Sequence, residues 1–244
     1  MRGLIYSCLI SFLTHYSLAA NAQALDIENP RDPWEGLNRK VFVFNDNADH
    51  YVLAPVARGY RAVTPDPVET GIRNVFSNLL EITTIANDLL QLEFAQAGAD
   101  TGRFLINSTV GLLGIFDVAS KVGLEKHDQD FGLTLASWGL GSGPYVVLPL
   151  VGPSTLRDSA GIVVDSASSD YMNELEHVPT RNQVKALQIV NVRAGLLKAE
   201  ELVSGDRYVF IRDAYLQRRD AAAGVEPQDD GFGDEDFESF DDWD

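Results

Sequence analysis

The residues that could catalyse a reaction or bind a metal are scattered along this chain. His50, His127 and His177 lie far apart in the sequence. Glu174 precedes His177 by three residues, but a Glu-His pair at that spacing usually marks a solvated helix face. No G-x-S-x-G sequence is present, so a serine hydrolase of that type has no support.

A glycine-rich segment and three aspartates are the other candidates for chemistry. Residues 139–143 (GLGSG) lack the G-x-G-x-x-G order of dinucleotide-binding loops and the Lys-Ser/Thr ending of phosphate loops. We interpret this segment as a flexible turn before an apolar stretch. Asp117, Asp128 and Asp130 have no evident shared site. We therefore predict a protein that is not an enzyme and that needs no metal or cofactor.

The N-terminus has the pattern of a secretory signal peptide. Arg2 supplies a positive start, residues 4–13 form an apolar run, and residues 19–24 are small, with A-x-A cleavage sites. The apolar run is too short to span a bilayer. The pattern predicts a signal peptide over residues 1–24 and a short linker over residues 25–31.

The chain is strongly acidic, with a formal net charge of -17. This charge argues against nucleic-acid binding, because phosphate affinity comes from clustered Lys and Arg. It also repels anionic lipid headgroups. Any association with a membrane would therefore depend on apolar insertion or on a covalent lipid.

Much of the acidity lies at the C-terminus. Residues 226–244 contain ten acidic side chains and no basic one, with four aromatic residues spaced among them. We expect residues 221–244 to form a disordered acidic tail. Two roles remain open for it: solvation, or docking of the aromatic residues into a basic groove of a partner.

Residues 32–220 have the hydrophobic periodicity of a helical domain. Asp66-Pro67-Val68-Glu69 predicts a helix start, with Asp66 as the cap, Pro67 at the first helical position and Glu69 completing a capping box. Apolar residues recur at three- and four-residue steps in residues 68–94, 98–109, 181–202 and 206–219. No segment shows sustained two-residue alternation. We therefore predict an all-α fold.

Two glycine-containing apolar stretches differ from ordinary amphipathic helices. Residues 110–119 and 139–152 are each shorter than the ~20 residues that a spanning helix needs. One interpretation is buried loop and core. The other is apolar surface within a bilayer leaflet or along a lipid path, where glycine and proline are tolerated if the backbone is buried or lines a cavity.

Several short segments occur in the order and spacing of one known family. They are DPWEGLNRKVFVFN (residues 32–45), YVLAPVA (51–57), RNVFSNL (73–79), RFLINSTVG (103–111), DFGLTL (130–135), GPYVVLP (143–149), TLRD (155–158) and RDAYLQR (212–218). In this the chain resembles the MlaA family, also called VacJ, of outer-membrane lipoproteins that take part in phospholipid transport. The resemblance covers residues 32–220.

The resemblance implies a fold and a function. It implies a ring-like bundle of amphipathic helices in the periplasmic leaflet of the outer membrane. An amphipathic channel through the ring would take misplaced phospholipid from the outer leaflet and pass it to a soluble periplasmic carrier. A trimeric porin would be a further partner, phospholipid would be the transported ligand, and no reaction would be catalysed.

The resemblance also indicates site residues. It places a channel-controlling segment at Phe44, Asn45 and Asp46, which are therefore candidates for a gate. Their other interpretation is a helix kink or cap, since Asn and Asp compete for backbone hydrogen bonds. The candidates for a membrane belt or channel wall are apolar residues of the two glycine-containing stretches: Leu112, Leu113, Ile115, Phe116, Tyr145, Val146, Val147, Leu148 and Leu150.

The signal sequence departs from the family pattern. Family members usually end the signal with a cysteine that becomes the lipidated first residue, and residues 17–24 contain none. Cys8 is the only cysteine, and it follows the bulky Tyr6 inside the apolar run. We expect cleavage to a non-acylated form without disulfides, held at the periplasmic face of the outer membrane by its apolar belt and a porin. The alternative hypothesis is a soluble periplasmic interaction or structural protein that docks through the acidic tail.

Overall fold

The computed structural model describes residues 29–168, 177–197 and 205–225. The signal peptide predicted over residues 1–24 lies outside the described residues, as does the part of the acidic tail from residue 226 onward. The chain divides between Pro33 and Trp34. In the described part of the first unit, the N–H of Asp32 donates to the carbonyl of Asn29 (2.8 Å) and closes a turn.

From Trp34 onward the protein is mainly α-helical, which confirms the predicted fold class. The helices are α1 (Glu35–Ala48), α2 (Ala54–Val63), α3 (Asp66–Leu90), α4 (Phe94–Thr109), α5 (Phe131–Ser137), α6 (Leu156–Ser168), α7 (Val178–Leu196) and α8 (Arg207–Ala222). A π-helical turn (Asp49–Leu53) joins α1 to α2, and a 3₁₀ turn (Ser120–Val122) lies between α4 and α5. Two strands, β1 (Tyr145–Leu148) and β2 (Gly152–Thr155), complete the described elements.

The two strands form an antiparallel hairpin that the sequence did not predict. Tyr145 pairs with Thr155, and Leu148 pairs with Gly152 across the turn. Each strand has only four residues, which is too short for a two-residue alternation to be recognised. The second apolar stretch therefore folds partly as this hairpin.

The π-helical turn has a local cause in the sequence. Pro55 is in the first turn of α2 and has no N–H to donate to the preceding turn. The helix that begins at Glu35 therefore widens over Asp49–Leu53 before it resumes as α2. This wider turn sets the position of Asp49 beside the hairpin and α7.

Helix α3 begins at Asp66, one residue before the predicted first helical position, and without the predicted capping box. Pro65 occupies the position before the helix, and no side chain caps it. The buried carboxylate of Glu69 instead approaches Arg61 at 3.9 Å and Arg73 at 4.0 Å. The capping interpretation was wrong because two cations compete with the backbone N–H groups for this carboxylate.

The packed interface between α3 and α4 is polar. The guanidinium of Arg103 is buried, and its Nε donates to Glu81 (3.2 Å) while another nitrogen donates to Ser120 (3.1 Å). Asn107 accepts the backbone N–H groups of Val118 (2.8 Å) and Ala119 (2.9 Å). Large apolar side chains of the same two helices lie on the exposed side: Val68, Leu80, Ile82, Leu89, Leu90, Phe94 and Leu105. This distribution reverses the usual one, in which apolar groups fill the interior.

One arginine of α8 ties together α5 and α6. Arg219 donates through two nitrogens to Asp158 (both 2.9 Å) and through two to Asp130 (2.5 and 3.0 Å). Burial raises the pKa of Asp158, but the hydrogen bonds from Arg219 and Tyr215 outweigh it and hold that pKa below its usual value. Gly132 and Gly161 let α5 and α6 approach closely, since a Cβ on Gly161 would lie 2.4 Å from the backbone nitrogen of Gly132.

The apolar core is small and centres on β1. Tyr145 and Val147 of β1 are buried against Tyr208 and Leu216 of α8. The rings of Tyr145 and Tyr208 meet edge to face, with centroids 6.3 Å apart. This cluster holds the hairpin between α8 and the neighbouring α1.

Candidate functional site

One face of α1 carries the residues that contact the hairpin. Asn38, Phe42 and Asn45 follow one another at steps of four and three, which places them on one side of a helix. Asn38 is buried, and Phe42 packs against the apolar core. This face therefore joins the predicted gate segment to β1.

Asn38 binds the backbone of β1, and Asn45 binds the end of β1 and the following turn in the same way. The amide of Asn38 donates to the carbonyl of Tyr145 (3.0 Å) and accepts the N–H of Val147 (3.0 Å). The amide of Asn45 donates to the carbonyl of Leu148 (2.9 Å) and accepts the N–H of Leu150 (2.7 Å). Each asparagine thus satisfies a donor and an acceptor of the hairpin backbone, as a neighbouring strand would.

A cavity of about 370 Å³ opens beside this asparagine pair. Most of its wall is apolar and comes from α1, the hairpin, α7 and α8. The apolar lining residues are Phe42, Val147, Pro153, Leu196, Phe210 and Ile211. Asn45 also lines it, as does the ion pair of Asp46 and Arg207. The cavity is within the size range of small-molecule sites.

A second cavity, of about 420 Å³, adjoins the first and is polar. The two share Asp49, Arg193 and Arg207 as wall residues, and the second adds His50 and Arg58. Three arginines thus face one space, whereas the neighbouring space is apolar. The two together are amphipathic.

Two ion pairs form the boundary between these cavities. The guanidinium of Arg193 binds both carboxylate oxygens of Asp49, at 2.6 and 2.7 Å. Arg207 donates to Asp46 at 2.6 Å. Both pairs join the α1–π-turn segment to α7 and α8. A planar guanidinium in this position can also bind a phosphate oxygen, because arginine presents several donors at once.

The three gate candidates have different environments. Asn45 and Asp46 line the apolar cavity, whereas Phe44 projects from α1 with 54% of its surface exposed and does not line it. Phe42, two residues earlier, contributes the aromatic ring instead. A role for Phe44, Asn45 and Asp46 in gating stays a prediction.

The first group of belt or wall candidates lies in a tight loop after α4. Ile115 and Phe116 line a separate apolar cavity of about 530 Å³, together with residues of α3 and Leu187 of α7. Leu112 and Leu113 project outward from the same loop. Gly114 makes the loop possible, since its φ is +87° and a Cβ there would lie 2.7 Å from Asn78.

The second group of candidates is divided by the pleat of β1. Tyr145 and Val147 are buried in the core, Val146 and Leu148 are half-buried, and Leu150 is exposed in the hairpin turn. Tyr145 thus follows the buried-core interpretation of this stretch. Val147 belongs to the core and also reaches the apolar cavity.

Sequence reasoning missed several residues of this site. Asn38 had a usable signal, because it precedes Asn45 by seven residues and so shares its helix face. Arg193 and Arg207 had none, because each meets its aspartate across more than 140 residues of sequence. Phe42 lies within the family segment of residues 32–45, and nothing in the sequence distinguishes it there as a cavity residue.

The candidate catalytic residues of the sequence have structural roles or stand apart. His177 caps α7 by accepting the N–H of Thr180 (3.3 Å), and Glu174 lies outside the described residues. Asp130 caps α5 and binds Arg219. Asp117 accepts the side chain and the backbone N–H of Ser120. Within the described ranges, no group of three His, Cys, Asp or Glu side chains is placed to hold a metal.

A buried carboxyl pair lies between α3 and α4, near His127. Asp88 and Asp100 are both fully buried. Burial, and then the hydrogen bond and the charge of Asp100, raise the pKa of Asp88 to about 7. His127 approaches Asp100 at 3.6 Å from the exposed side. Asp88 therefore keeps its proton at mildly acidic pH, since a second buried negative charge beside Asp100 is disfavoured.

The described helices include none that is both long and apolar enough to cross a membrane. The longest is α3, with 25 residues, and its buried face carries Glu69, Glu81 and Asp88.

Comparison with known proteins gives a consistent result. The model of the MlaA lipoprotein family matches residues 30–222. The chain is 35% identical over 215 residues to the intermembrane phospholipid transport system lipoprotein MlaA of Escherichia coli, and the match covers 84% of each chain. It is 38% identical over 194 residues to an uncharacterized protein of Rickettsia typhi, a match that covers 78% of this chain and 77% of that protein.

A solved structure is also similar. That structure concerns the structural basis for maintenance of bacterial outer membrane lipid asymmetry. It matches this chain with a TM-score of 0.68 at 36% sequence identity. The match covers 79% of this chain and 98% of that one. The chain therefore belongs to the MlaA lipoprotein family.

Proposed function

We propose that this protein is a non-enzymatic outer-membrane component of intermembrane phospholipid transport. It takes mislocalised phospholipid from the outer leaflet through an amphipathic passage and passes it to a soluble periplasmic carrier. The result is the maintenance of outer-membrane lipid asymmetry. Relatives named for phospholipid transport, and a similar structure described in terms of lipid asymmetry, support this proposal.

The observation that carries the proposal is the pair of adjoining cavities. A phospholipid has apolar acyl chains and an anionic headgroup, so its site needs an apolar wall next to cationic or hydrogen-bonding groups. The cavity at Phe42 and Phe210 supplies the first, and the cavity at Arg58 and Arg193 supplies the second. Arg207 and Asp49 line both. Asn45 and the Asp46–Arg207 ion pair stand where the passage would be controlled.

The distribution of polarity supports a location in a membrane. Buried positions between α3 and α4 hold Glu81, Asp88, Asp100 and Arg103, whereas large apolar side chains of the same helices are exposed. In water, an apolar exterior of this kind would associate or precipitate. In a lipid leaflet it matches its surroundings. The protein would thus sit at the periplasmic face of the outer membrane.

The proposed partners follow from the chemistry of the cargo. A phospholipid that leaves the membrane needs a carrier that shields its acyl chains from water. A trimeric porin is the proposed membrane neighbour, on the basis of the family resemblance. The acidic residues 226–244 lie outside the described part of the chain, and docking through them stays the alternative proposal. Phospholipid is the ligand in this scheme, and no cofactor takes part.

The direct test is mass spectrometry of the protein after extraction from its native membrane in mild detergent. We expect phospholipid at a near-stoichiometric ratio to protein. The variant Arg207→Gln should lower that ratio, because it removes a cation from the wall of both cavities. Lys126→Gln, which removes an equal charge from the exposed pair with Asp128, is the matched control and should leave it unchanged. A water-soluble, lipid-free protein would contradict the proposal and favour a periplasmic interaction protein.

A further inference from the structure

Arg58 differs from the other arginines of the two adjoining cavities. Arg193 and Arg207 are each bound to an aspartate through short hydrogen bonds, the shortest of 2.6 Å in both cases. Arg58 has no carboxylate partner among the described residues, and its Nε donates to the carbonyl of Ala54 (3.2 Å), one turn back in α2. The two terminal nitrogens of its guanidinium are therefore free to bind a ligand in the polar cavity, whose wall Arg58 helps to form.

The walls of the two cavities carry one uncompensated positive charge. Their described charged residues are three arginines and two aspartates, with histidine counted as neutral: Arg58, Arg193, Arg207, Asp46 and Asp49. Two of the arginines neutralise both aspartates in ion pairs, which leaves the charge of Arg58. This excess matches a ligand group with a single negative charge.

A phosphodiester fits the position of Arg58. It carries one negative charge at neutral pH and has two terminal oxygens, which a planar guanidinium can bind side by side. The apolar cavity shares three wall residues with the polar one, so acyl chains attached to the phosphate would have an apolar wall next to it. This arrangement fits the headgroup of a phospholipid better than it fits a free phosphate ion.

The same walls offer little to a positively charged headgroup. An ammonium group of the ethanolamine type needs a carboxylate, and Asp49 is the carboxylate among the described residues that line the polar cavity. Arg193 already binds both of its oxygens, at 2.6 and 2.7 Å. An ammonium that entered would therefore add a second cation beside Arg58 without a free anionic partner. A headgroup with one net negative charge avoids this repulsion.

We infer that Arg58 binds the headgroup phosphate and that the polar cavity thereby prefers phospholipids with a net negative headgroup, such as phosphatidylglycerol, to zwitterionic ones. The inference rests on the proposed function, because it requires that the two cavities hold phospholipid. The net charge of -17 does not oppose it, since charges more than about 8 Å away are screened at physiological ionic strength. Repulsion of one ammonium about 6 Å from Arg58 in a solvated cavity corresponds to a preference of roughly three- to tenfold.

The test is a competition between two lipids for the full-length protein purified in detergent. The protein is equilibrated with mixed micelles that contain equal amounts of dioleoyl-phosphatidylglycerol and dioleoyl-phosphatidylethanolamine, and bound lipid is quantified by mass spectrometry after gel filtration. For the wild type we expect phosphatidylglycerol to be enriched roughly three- to tenfold. Arg58→Glu should abolish or reverse this enrichment, because it supplies a carboxylate for the ammonium, and Arg58→Lys should retain most of it. Lys40→Glu makes the same change of charge at an exposed position of α1 outside both cavities, and this matched control should keep the wild-type preference.

Each other outcome overturns the inference in a distinguishable way. If the bound lipid has the composition of the micelles, the preference is refuted and the proposed function stands. If Arg58→Glu keeps the preference, or if Lys40→Glu loses it equally, Arg58 is not the selective residue.

Two further measurements complete the test. A large excess of inorganic phosphate should not displace the lipid, and displacement would show a site for free phosphate instead. The melting temperature of Arg58→Glu should equal that of the wild type, because Arg58 is exposed, and a loss of several degrees would assign this residue a structural role. If neither lipid binds to the wild-type protein, the proposed function fails together with this inference.

Discussion

The contact between Asn45 and the hairpin turn provides a quantitative prediction. Asn45→Ala removes the hydrogen bond to the Leu148 carbonyl and the one from the Leu150 N–H. At about 1 kcal/mol for each bond, the free energy of unfolding should fall by about 2 kcal/mol. For a chain of this length, that corresponds to roughly 4–8 °C in the melting temperature.

Hydrogen exchange of backbone amides shows where the stability is lost. In Asn45→Ala the Leu150 amide should exchange about thirtyfold faster, because a local loss of about 2 kcal/mol raises the open population by that factor. Amides between α3 and α4 should exchange as in the wild type. Asn38→Ala is the matched comparison, since it removes the equivalent pair of bonds to Tyr145 and Val147 in a buried position. It should cost roughly 2–5 kcal/mol, because the strand groups left behind are shielded from water.

The reasoning would be refuted if Leu150 exchanged at the wild-type rate in Asn45→Ala, or if Asn38→Ala lost less stability than Asn45→Ala. The same variants test the gate hypothesis. A loosened turn beside the apolar cavity should change the amount of phospholipid that copurifies with the protein. If the amount of lipid is unchanged although the Leu150 amide exchanges faster, Asn45 is a structural contact and not part of a gate.

Three further predictions concern stability. Gly114→Ala should lower the free energy of unfolding by about 2 kcal/mol or more, whereas Gly139→Ala should lower it by about 1 kcal/mol. Both glycines have a φ near +88°, but only Gly114 lacks room for a Cβ. Equal losses in denaturant titrations would contradict this. Arg103→Met should lower the free energy of unfolding by about 3–5 kcal/mol, because it leaves the buried carboxylate of Glu81 without its cation. Adding Glu81→Gln to the same chain should recover part of the loss, and the absence of any recovery would contradict the pairing. Because the pKa of Asp88 is raised to about 7 in the folded protein, its contribution to stability is complete below about pH 4 and is lost as the pH rises toward 7. Asp88→Asn should therefore flatten the pH dependence of the melting temperature between pH 4 and 7, and an unchanged slope in that range would exclude this group as its source.

Regular helices were predictable from the sequence because each is encoded locally. The apolar period in residues 98–109 belongs to α4, and Asp206 caps α8 where that helix was expected to start. The start of α3 was predicted, but its cap was not, since the competing cations Arg61 and Arg73 become visible only in three dimensions.

The candidate site was predictable only in part. Asn45 and Asp46 were identified through the family resemblance, which the comparisons confirm, and both line the apolar cavity. The cavity itself depends on Arg193 and Arg207, which reach α1 from far along the chain, and a sequence pattern does not carry that information. The positive φ values of Leu92, Leu112, Leu113 and Leu150 also had no local signal, because leucine is among the least expected residues in such a conformation.

The most direct test of the central claim is the amount of phospholipid in the outer leaflet of living cells. A bacterium that lacks its own MlaA protein would receive this chain, and surface phospholipid would be measured with a membrane-impermeant amine label. We predict that the wild-type chain lowers the labelled phospholipid toward the level of the parent strain, and that Arg207→Gln does so less at equal abundance in the outer membrane. Labelling that stays at the level of the deletion strain, with the wild-type chain correctly located beside its partners, would contradict a role in phospholipid removal.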